Sequence, residues 1–253
     1  MSATEVGSEV MSPEPQLAGQ TLLVIGGSSG IGRETAERAR AEGADVIITA
    51  RNADRLQRVG LELGASIAAF DATDFGRLER FFGELPAPID HVLVTGPGPY
   101  YVPLADFDVG EARRNADAHL FLPLLVARNA AGKIRAGGTV LFMGGTGGRA
   151  TAPGLSFISA LTAALPAMTR NLALELAPIR VNLIAAGFVD TPLSATLLGN
   201  RLDARREELR TSLPIGRVVG PADVAALAVH LMTNTAITGA TFDIDGGQQL
   251  VGA

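Results

Sequence analysis

Short apolar runs alternate along most of this chain with longer stretches whose apolar residues recur every three or four positions. Runs that are apolar throughout are typical of parallel strands, because helices cover both faces of such a sheet. The alternation therefore predicts an α/β fold with one doubly wound parallel sheet of about seven strands. The predicted strands are 21–26, 45–50, 66–70, 91–95, 139–143, 180–185 and 241–243, and the predicted helices are 31–42, 52–63, 74–84, 111–134, 155–176 and 221–233.

Two segments do not follow this alternation. Residues 1–16 are rich in Ser, Glu and Pro without periodicity, which predicts a disordered N-terminal extension before a single domain over 17–253. The polar, Arg-rich stretch 191–214 predicts a helical flap over the carboxyl edge of the sheet. Ligands of such folds bind at that edge, so we expect the flap to cover a substrate.

Composition excludes several classes of function. The net charge of −5 argues against a nucleic-acid partner or an anionic membrane surface. The chain has no cysteine, which excludes thiolate catalysis and Cys-ligated zinc, and we expect no metal site. We expect no apolar run to approach the roughly 20 residues that a membrane helix needs, and no signal peptide is recognisable, so we expect a cytoplasmic protein. Lys133 is the single lysine and lies in a Gly-rich turn, where we expect it to be solvated.

A glycine-rich segment follows the first predicted strand and precedes a helix: Gly26-Gly27-Ser28-Ser29-Gly30-Ile31-Gly32. Glycines at such a turn let the backbone approach a pyrophosphate, and the free N–H groups of the helix point toward that anion. This position after a strand predicts a dinucleotide site.

The spacing of these glycines resembles the T-G-x-x-x-G-I-G motif of the short-chain dehydrogenase/reductase family, with Ile25 in place of the threonine. The resemblance extends over almost the whole chain beyond the N-terminal extension. The segments 171–182, 187–192 and 243–247 resemble the family's later motifs, with Ala186 in place of a proline. This resemblance implies a Rossmann-like fold, a small-molecule substrate, and a dimer or tetramer packed through the helices at 111–134 and 155–176.

The cofactor residues are assigned from the turn and from the resemblance. Asp71 is expected at the adenine, and Val189 and Thr191 at the nicotinamide carboxamide. No acidic residue follows the second strand, whereas Arg51 is placed to pair with a 2′-phosphate, which favours NADP(H) over NAD(H). The full expected set is Gly26, Ser28, Ser29, Gly30, Ile31, Gly32, Arg33, Arg51, Asp71, Ala72, Thr95, Gly96, Gly187, Val189 and Thr191.

The catalytic positions of the family read differently in this chain. By local motif, the tyrosine corresponds to Phe157, the lysine to Leu161, the serine to Gly145 and the asparagine to His119. Phenylalanine keeps the ring of tyrosine but has no exchangeable proton. Loss of a positioned general acid typically costs roughly 10²–10⁴ in rate.

Other groups near the same edge can replace the lost proton donor. Tyr100 and Tyr101 are the only tyrosines and follow the fourth strand, and His119 titrates near neutral pH. Each also has a structural explanation, as aromatic packing of a loop or as a hydrogen-bonded imidazole. Thr146, Ser156 and Ser159 carry hydroxyls close to the lost positions and can orient a carbonyl.

Three hypotheses remain open. The first is an NADP(H)-dependent carbonyl or enone reductase with atypical proton delivery. The second is a protein that binds NADP(H) without turnover, as a sensor or a partner of another protein. The third is a lyase or isomerase on the same fold that uses no redox step.

Overall fold

Apolar strand segments pair into one parallel sheet. The computed structural model describes residues 15–149 and 151–251. Its strands are β1 (Thr21–Ile25), β2 (Asp45–Ala50), β3 (Ser66–Ala69), β4 (Ile89–Val94), β5 (Ile134–Gly145), β6 (Arg180–Ala186) and β7 (Thr241–Ile244). They lie in the order β3-β2-β1-β4-β5-β6-β7, and every pairing is parallel. The predicted doubly wound sheet is confirmed, and its strand order reverses between β1 and β4, where ligands of such sheets bind.

Helices cover both faces of this sheet. They are α1 (Gly30–Ala41), α2 (Ala53–Leu63), α3 (Phe75–Glu84), α4 (Val109–Ala116), α5 (Leu122–Ala130), α6 (Ser156–Glu175), α7 (Pro192–Leu198), α8 (Leu202–Ser212) and α9 (Pro221–Thr233). Asn52 and Asp74 begin α2 and α3 by accepting hydrogen bonds from backbone N–H groups, at 2.8 and 2.9 Å. Such caps satisfy donors that have no partner within the helix.

The sheet divides the apolar interior into two cores. In β1, Leu23 and Ile25 face the core that contains α3, α5 and α6. Leu22 and Val24 face the core that contains α1, α2 and α9. Because successive strand side chains point to opposite faces, a strand buried on both sides must be apolar throughout. This explains the continuous apolar runs of the sequence.

The N-terminal extension predicted for 1–16 falls mainly on residues 1–14, which lie outside the described residues. The described chain begins at Pro15, and the backbone N–H of Gln16 donates to the Glu42 carboxylate at 3.3 Å. Disorder of the extension and the domain boundary at 17 therefore stay predictions.

The single helix predicted over 111–134 is wrong, because that stretch contains two helices joined by a π-helical segment, Asp117–Phe121. Pro123 has no N–H to donate to the carbonyl four residues earlier, and the N–H of Leu122 instead bonds the Asp117 carbonyl. The strand β5 also begins at Ile134, before the predicted residue 139.

The expectation of no membrane-length apolar segment also needs correction. The helix α6 has 20 residues and a mean hydropathy of 1.2, which is long and apolar enough to cross a membrane by length and composition alone. Leu165 and Leu172 of this helix pack in the core against the sheet. Core helices of soluble proteins meet the same criterion, so this is weak evidence for a membrane span.

A buried histidine lies at the amino edge of the sheet. His91 on β4 is 3% exposed, and its Nε2 lies 2.6 Å from Oε1 of Gln20. Its Nδ1 is buried without a hydrogen-bond partner among the described residues. Burial lowers the pKa of His91 to about 4; the carboxylate of Asp90 opposes this shift and the guanidinium of Arg180 adds to it.

Acidification should therefore destabilise the protein through His91. The unfolded chain takes up a proton near pH 6.5 and the folded chain only near pH 4, so stability falls as the pH drops through this window. The expected loss is on the order of 3 kcal/mol, measured as the free energy of unfolding in urea at several pH values. His91→Gln should flatten the profile above pH 4, whereas the exposed His230→Gln should leave it unchanged. An unaltered slope in His91→Gln would refute this assignment.

Candidate functional site

The turn between β1 and α1 brings backbone segments into close contact. The N–H groups of Gly26 and Gly27 both donate to the Thr49 carbonyl, at 2.9 and 3.0 Å. A Cβ at Gly26 would collide with the Thr95 hydroxyl, and a Cβ at Gly32 would collide with the Gly26 carbonyl. Gly26 also has a φ of +93°, which disfavours residues with side chains. Only glycine fits these two positions.

The same turn leaves the amino end of α1 without a side-chain cap. Ser29 precedes the helix in an extended conformation, and its side chain accepts no hydrogen bond from the first turn. Ser28 is buried, whereas Gly30 and Ile31 are half-buried. Uncapped N–H groups at the start of a helix, together with the helix dipole, bind anions such as phosphate.

Charged residues lie beyond the ends of β2 and β3. Arg51 is exposed and lies close enough to Asp71 to affect its ionisation. Burial opposes ionisation of Asp71, but two hydrogen bonds from Thr73 and the charge of Arg51 hold its pKa below the usual value. Arg33 forms an ion pair with Glu62 at 2.9 Å. Arg51 and Asp71 are thus brought together, while Arg33 is held by α2.

The loop after β4 approaches the turn from the other side. The hydroxyl of Thr95 donates to the Ile25 carbonyl at 2.9 Å and joins the ends of β1 and β4. A Cβ on Gly96 would lie 3.6 Å from Nε2 of His119, so the imidazole faces this loop. His119 Nδ1 lies 2.9 Å from the Asn115 carbonyl. Burial lowers the pKa of His119, although hydrogen bonds from its ring to the backbone of Asn115 and Pro97 oppose this shift.

The segment after β6 closes the site. Its backbone is fixed by a parallel bridge between Val189 and Val219, and a Cβ on Gly30 would lie 3.5 Å from Cβ of Thr191. Thr191 begins α7, its side chain accepting from the Ser194 N–H at 3.3 Å. The turn between β1 and α1 and this segment are therefore close neighbours. Gly187, near the end of β6, also has no room for a side chain because Asp245 lies against it.

A partly exposed ion pair that the local sequence does not indicate connects this segment to α8. Arg206 donates to both carboxylate oxygens of Asp190, at 2.9 and 2.8 Å. Arg149, after β5, forms a similar paired contact with Asp243 on β7 and holds the pKa of that carboxyl below its usual value. Both pairs join residues far apart in sequence, so the signal that would reveal them is the fold itself.

Three aromatic rings pack against one another, and we name Tyr100, Phe107 and Phe157 the aromatic cluster. Their ring centroids lie 5.7–6.3 Å apart in tilted or edge-on arrangements. The hydroxyl oxygen of Tyr100 accepts a hydrogen bond from the Asp108 N–H at 3.1 Å. Tyr101 is 59% exposed and takes no part in the cluster. Phe107 carries no sequence motif and was not among the expected site residues.

The other residues singled out from the sequence are apolar or already hydrogen-bonded. Leu161 on α6 is buried, and Gly145 ends β5. The hydroxyl of Ser159 donates to the Gly147 carbonyl at 2.9 Å. Lys133 lies far away, with Nζ donating to the carbonyls of Gly83 and Leu85, at 3.3 and 3.1 Å. The described residues contain no group of three or more His, Asp or Glu side chains placed to hold a metal.

The packing at Gly32 generates a stability prediction. Gly32→Ala should lower the free energy of unfolding by about 1–3 kcal/mol, because the added methyl must displace the Gly26 carbonyl. Gly83→Ala is the matched control, since Gly83 is also helical and has open space around it. That control should be neutral or up to about 1 kcal/mol more stable. Equal effects of the two substitutions in urea unfolding would show that the turn is not tightly packed.

Comparison with known proteins gives consistent matches over nearly the full chain. A family model described as enoyl-(acyl carrier protein) reductase matches residues 25–249. A short-chain dehydrogenase/reductase of Stachybotrys chlorohalonatus is 31% identical over 92% of this chain and 98% of its own length. The solved reductase/Diels-Alderase MalC of Malbranchea aurantiaca is 25% identical, with a TM-score of 0.86 over 94% of this chain and 99% of that one. A small-chain dehydrogenase solved in complex with NADPH is 28% identical, with a TM-score of 0.79 over 91% of this chain and 99% of that one.

Proposed function

The chain belongs to the short-chain dehydrogenase/reductase family, and we propose that it is an NADP(H)-dependent reductase of a carbonyl or enone compound. We further propose that the proton comes from a source other than a tyrosine–lysine pair. The observation that carries the proposal is the turn between β1 and α1, where Gly26 and Gly32 have no room for a Cβ and the amino end of α1 has no side-chain cap. Members of this family bind nicotinamide cofactors, and one solved relative holds NADPH.

The residues present fit a dinucleotide. The glycines at 26 and 32 leave backbone accessible where a Cβ would block it, and the uncapped start of α1 supplies N–H groups for the pyrophosphate. We assign Asp71 and Ala72 to the adenine end of the cofactor. We assign Thr95 and Gly96 to its central ribose. Gly187, Val189 and Thr191 are assigned to the nicotinamide side. When bound, NADPH supplies a hydride; the chain orients it and excludes water.

The 2′-phosphate is assigned to Arg51. Its exposed guanidinium follows β2, where no carboxylate is available for a ribose hydroxyl pair. The ion pair of Arg33 with Glu62 makes Arg33 a secondary partner, because it must leave that glutamate to reach the phosphate. NADP(H) is therefore favoured over NAD(H).

Arg51→Ala should weaken NADPH binding by about 10–100-fold and leave NADH binding nearly unchanged, since a charge-assisted hydrogen bond contributes about 1.5–3 kcal/mol. Dissociation constants from nicotinamide fluorescence titration measure both. Arg170→Ala, at an exposed position of α6, is the control and should change neither constant. Parallel losses for the two cofactors would remove Arg51 from the phosphate site.

The proposed proton chemistry departs from the family's usual arrangement. Phe157 and Leu161 stand where the resemblance places a tyrosine and a lysine, with Gly145 and His119 at the other two positions. Among the substitutes, His119 is disfavoured as an imidazolium donor because burial lowers its pKa. Tyr100 packs against Phe157, whereas Tyr101 does not, which favours Tyr100 of the two.

Restoring the pair tests this interpretation. Phe157→Tyr combined with Leu161→Lys should raise ketone reduction by roughly 10²–10⁴, because a positioned general acid contributes that factor. NADPH oxidation at 340 nm over a panel of ketones and enones measures it. Phe157→Tyr alone is the control and should give a smaller gain, since no cation then lowers the phenol pKa. No gain in the double variant, with NADPH still bound, would show that more than the proton donor is missing.

A second candidate function is an NADP(H)-binding sensor or partner protein without turnover. The apolar character of Phe157, Leu161 and Gly145 favours it, because these side chains offer no acid or base. Tight NADPH binding with no oxidation across the whole panel would support it over the reductase. A lyase or isomerase is the third possibility, and formation of product without cofactor oxidation would identify it.

We also propose self-association as a dimer or tetramer through the helices around α4–α5 and α6. Phe121, Leu124 and Leu174 on these helices are large apolar residues with exposures of 47%, 37% and 80%. Covering such side chains on a second copy is the usual way to remove them from water.

A further inference from the structure

The chain turns sharply after β7 and comes back against the end of β6. Gly246 and Gly247 have φ values of +66° and +87°, which glycine adopts without strain. The carboxylate of Asp245 accepts from the N–H of Gly247 at 2.9 Å and from the N–H of Gln249 at 3.2 Å. These hydrogen bonds fix the shape of residues 245–249, which we name the C-terminal turn.

The C-terminal turn lies directly against the residue that follows β6. A Cβ on Gly187 would collide with Cβ of Asp245 and would lie 2.8 Å from Oε1 of Gln248. The N–H of Gly187 donates to the Ile244 carbonyl at 3.1 Å and so continues the pairing of β6 with β7. The N–H of Phe188 donates to Oε1 of Gln248 at 3.0 Å. The strand pairing ends here, and a side chain of the turn supplies the next acceptor.

The glycine at 187 gives this acceptor its importance. Glycine populates more backbone conformations than other residues, so the peptide group after it rotates easily. The Gly187 carbonyl and the Phe188 N–H belong to one peptide group, and the hydrogen bond to Gln248 therefore fixes its orientation. Val189 comes next, and its carbonyl accepts from the Ser194 hydroxyl at 2.5 Å. Two side chains thus hold the backbone on either side of Val189.

Other contacts hold the C-terminal turn itself. The guanidinium of Arg149, after β5, forms the ion pair with Asp243 on β7 and also donates to Oε1 of Gln249 at 2.8 Å. A Cβ on Gly247 would collide with the ring of Pro214, which follows α8. The turn is therefore packed against three segments of the fold. The acceptor that it offers to the end of β6 is held at one position relative to the sheet.

We propose that Gln248 is a positioning residue for the nicotinamide end of the cofactor. This inference rests on the proposed function, in which Gly187, Val189 and Thr191 form the nicotinamide side. Gln248 acts through the backbone of Phe188, the residue before Val189. A segment that already has its binding conformation binds more tightly, because less conformational freedom is lost. Removal of the acceptor should therefore weaken the contacts of the nicotinamide and leave those of the adenine and the 2′-phosphate unchanged.

The first test compares two ligands that share the adenine end. NADPH carries the nicotinamide, whereas adenosine 2′,5′-bisphosphate ends at the adenosine and its phosphates. Gln248→Met keeps the length of the side chain and removes the carbonyl acceptor. It should weaken NADPH binding about 3–10-fold, as expected for one hydrogen bond, and leave the affinity for adenosine 2′,5′-bisphosphate unchanged. Calorimetry gives both dissociation constants.

Leu250→Met is the matched control, because Leu250 adjoins the C-terminal turn and is 83% exposed. It should change neither dissociation constant. Equal losses for the two ligands in Gln248→Met would indicate a general loss of structure. An unchanged affinity for NADPH would show that the hydrogen bond does not position the cofactor. Either result overturns the proposal.

The second test needs no cofactor. Hydrogen exchange over residues 187–190, followed by mass spectrometry, should be about 3–10-fold faster in Gln248→Met than in the unaltered chain. The amides of β1 should exchange at the same rate in both proteins, which separates a local change from global unfolding. Unchanged exchange over 187–190 would show that Gln248 does not hold this segment and would overturn the proposal.

A failure of this inference is distinguishable from a failure of the proposed function. If the unaltered chain does not bind NADPH, the reductase proposal fails and the positioning role fails with it. If the unaltered chain binds NADPH and Gln248→Met binds it equally well, the reductase proposal stands and only the role of Gln248 is wrong.

Discussion

The close approach of three backbone segments at the phosphate turn is the constraint on which the site depends. The end of β1 must pass directly under the start of α1, and the Thr95 side chain fills the space beside Gly26. The hydroxyl of Thr95 bonds the Ile25 carbonyl, so the ends of β1 and β4 are held together at the point where the strand order reverses. The proposed anion site is therefore a consequence of how the sheet packs, since its N–H groups belong to the backbone.

The segment after β6, which lies beside this turn, is held by contacts of a different kind. The segment Val189–Thr191 is joined to Val219 by a bridge and to α8 by the Asp190–Arg206 pair. The hydroxyl of Ser194 donates to the Val189 carbonyl at 2.5 Å. These contacts couple the helices after β6 to the nicotinamide side of the proposed site. Movement of those helices must therefore displace the segment or break the ion pair, since the side chains span both.

Sequence patterns predicted the sheet because each strand is buried on both faces and reads as an apolar run. They also placed the glycines of the turn, since only a residue without a side chain fits beside Thr95. They missed the π-helical segment, whose cause is one proline, and they missed Phe107 and Arg206. Each contacts a residue of another element: Phe107 packs against Phe157, and Arg206 forms an ion pair with Asp190. The spacing of apolar residues indicates which face of one helix or strand is buried. It does not indicate which helices and strands pack together.

Cofactor binding and proton transfer are separable in this architecture because they depend on different parts of the chain. The proposed dinucleotide site is built from backbone at the ends of β1, β4 and β6, while the resemblance places the acid–base pair on one turn of α6. Phe157 and Leu161 stand at those two positions, and Leu161 is buried, with 8% of its surface exposed. Neither position lies in the sheet or in the turn between β1 and α1. On the proposed assignment, these two positions hold neither a cation nor an acid, so cofactor binding does not depend on the groups that would transfer the proton.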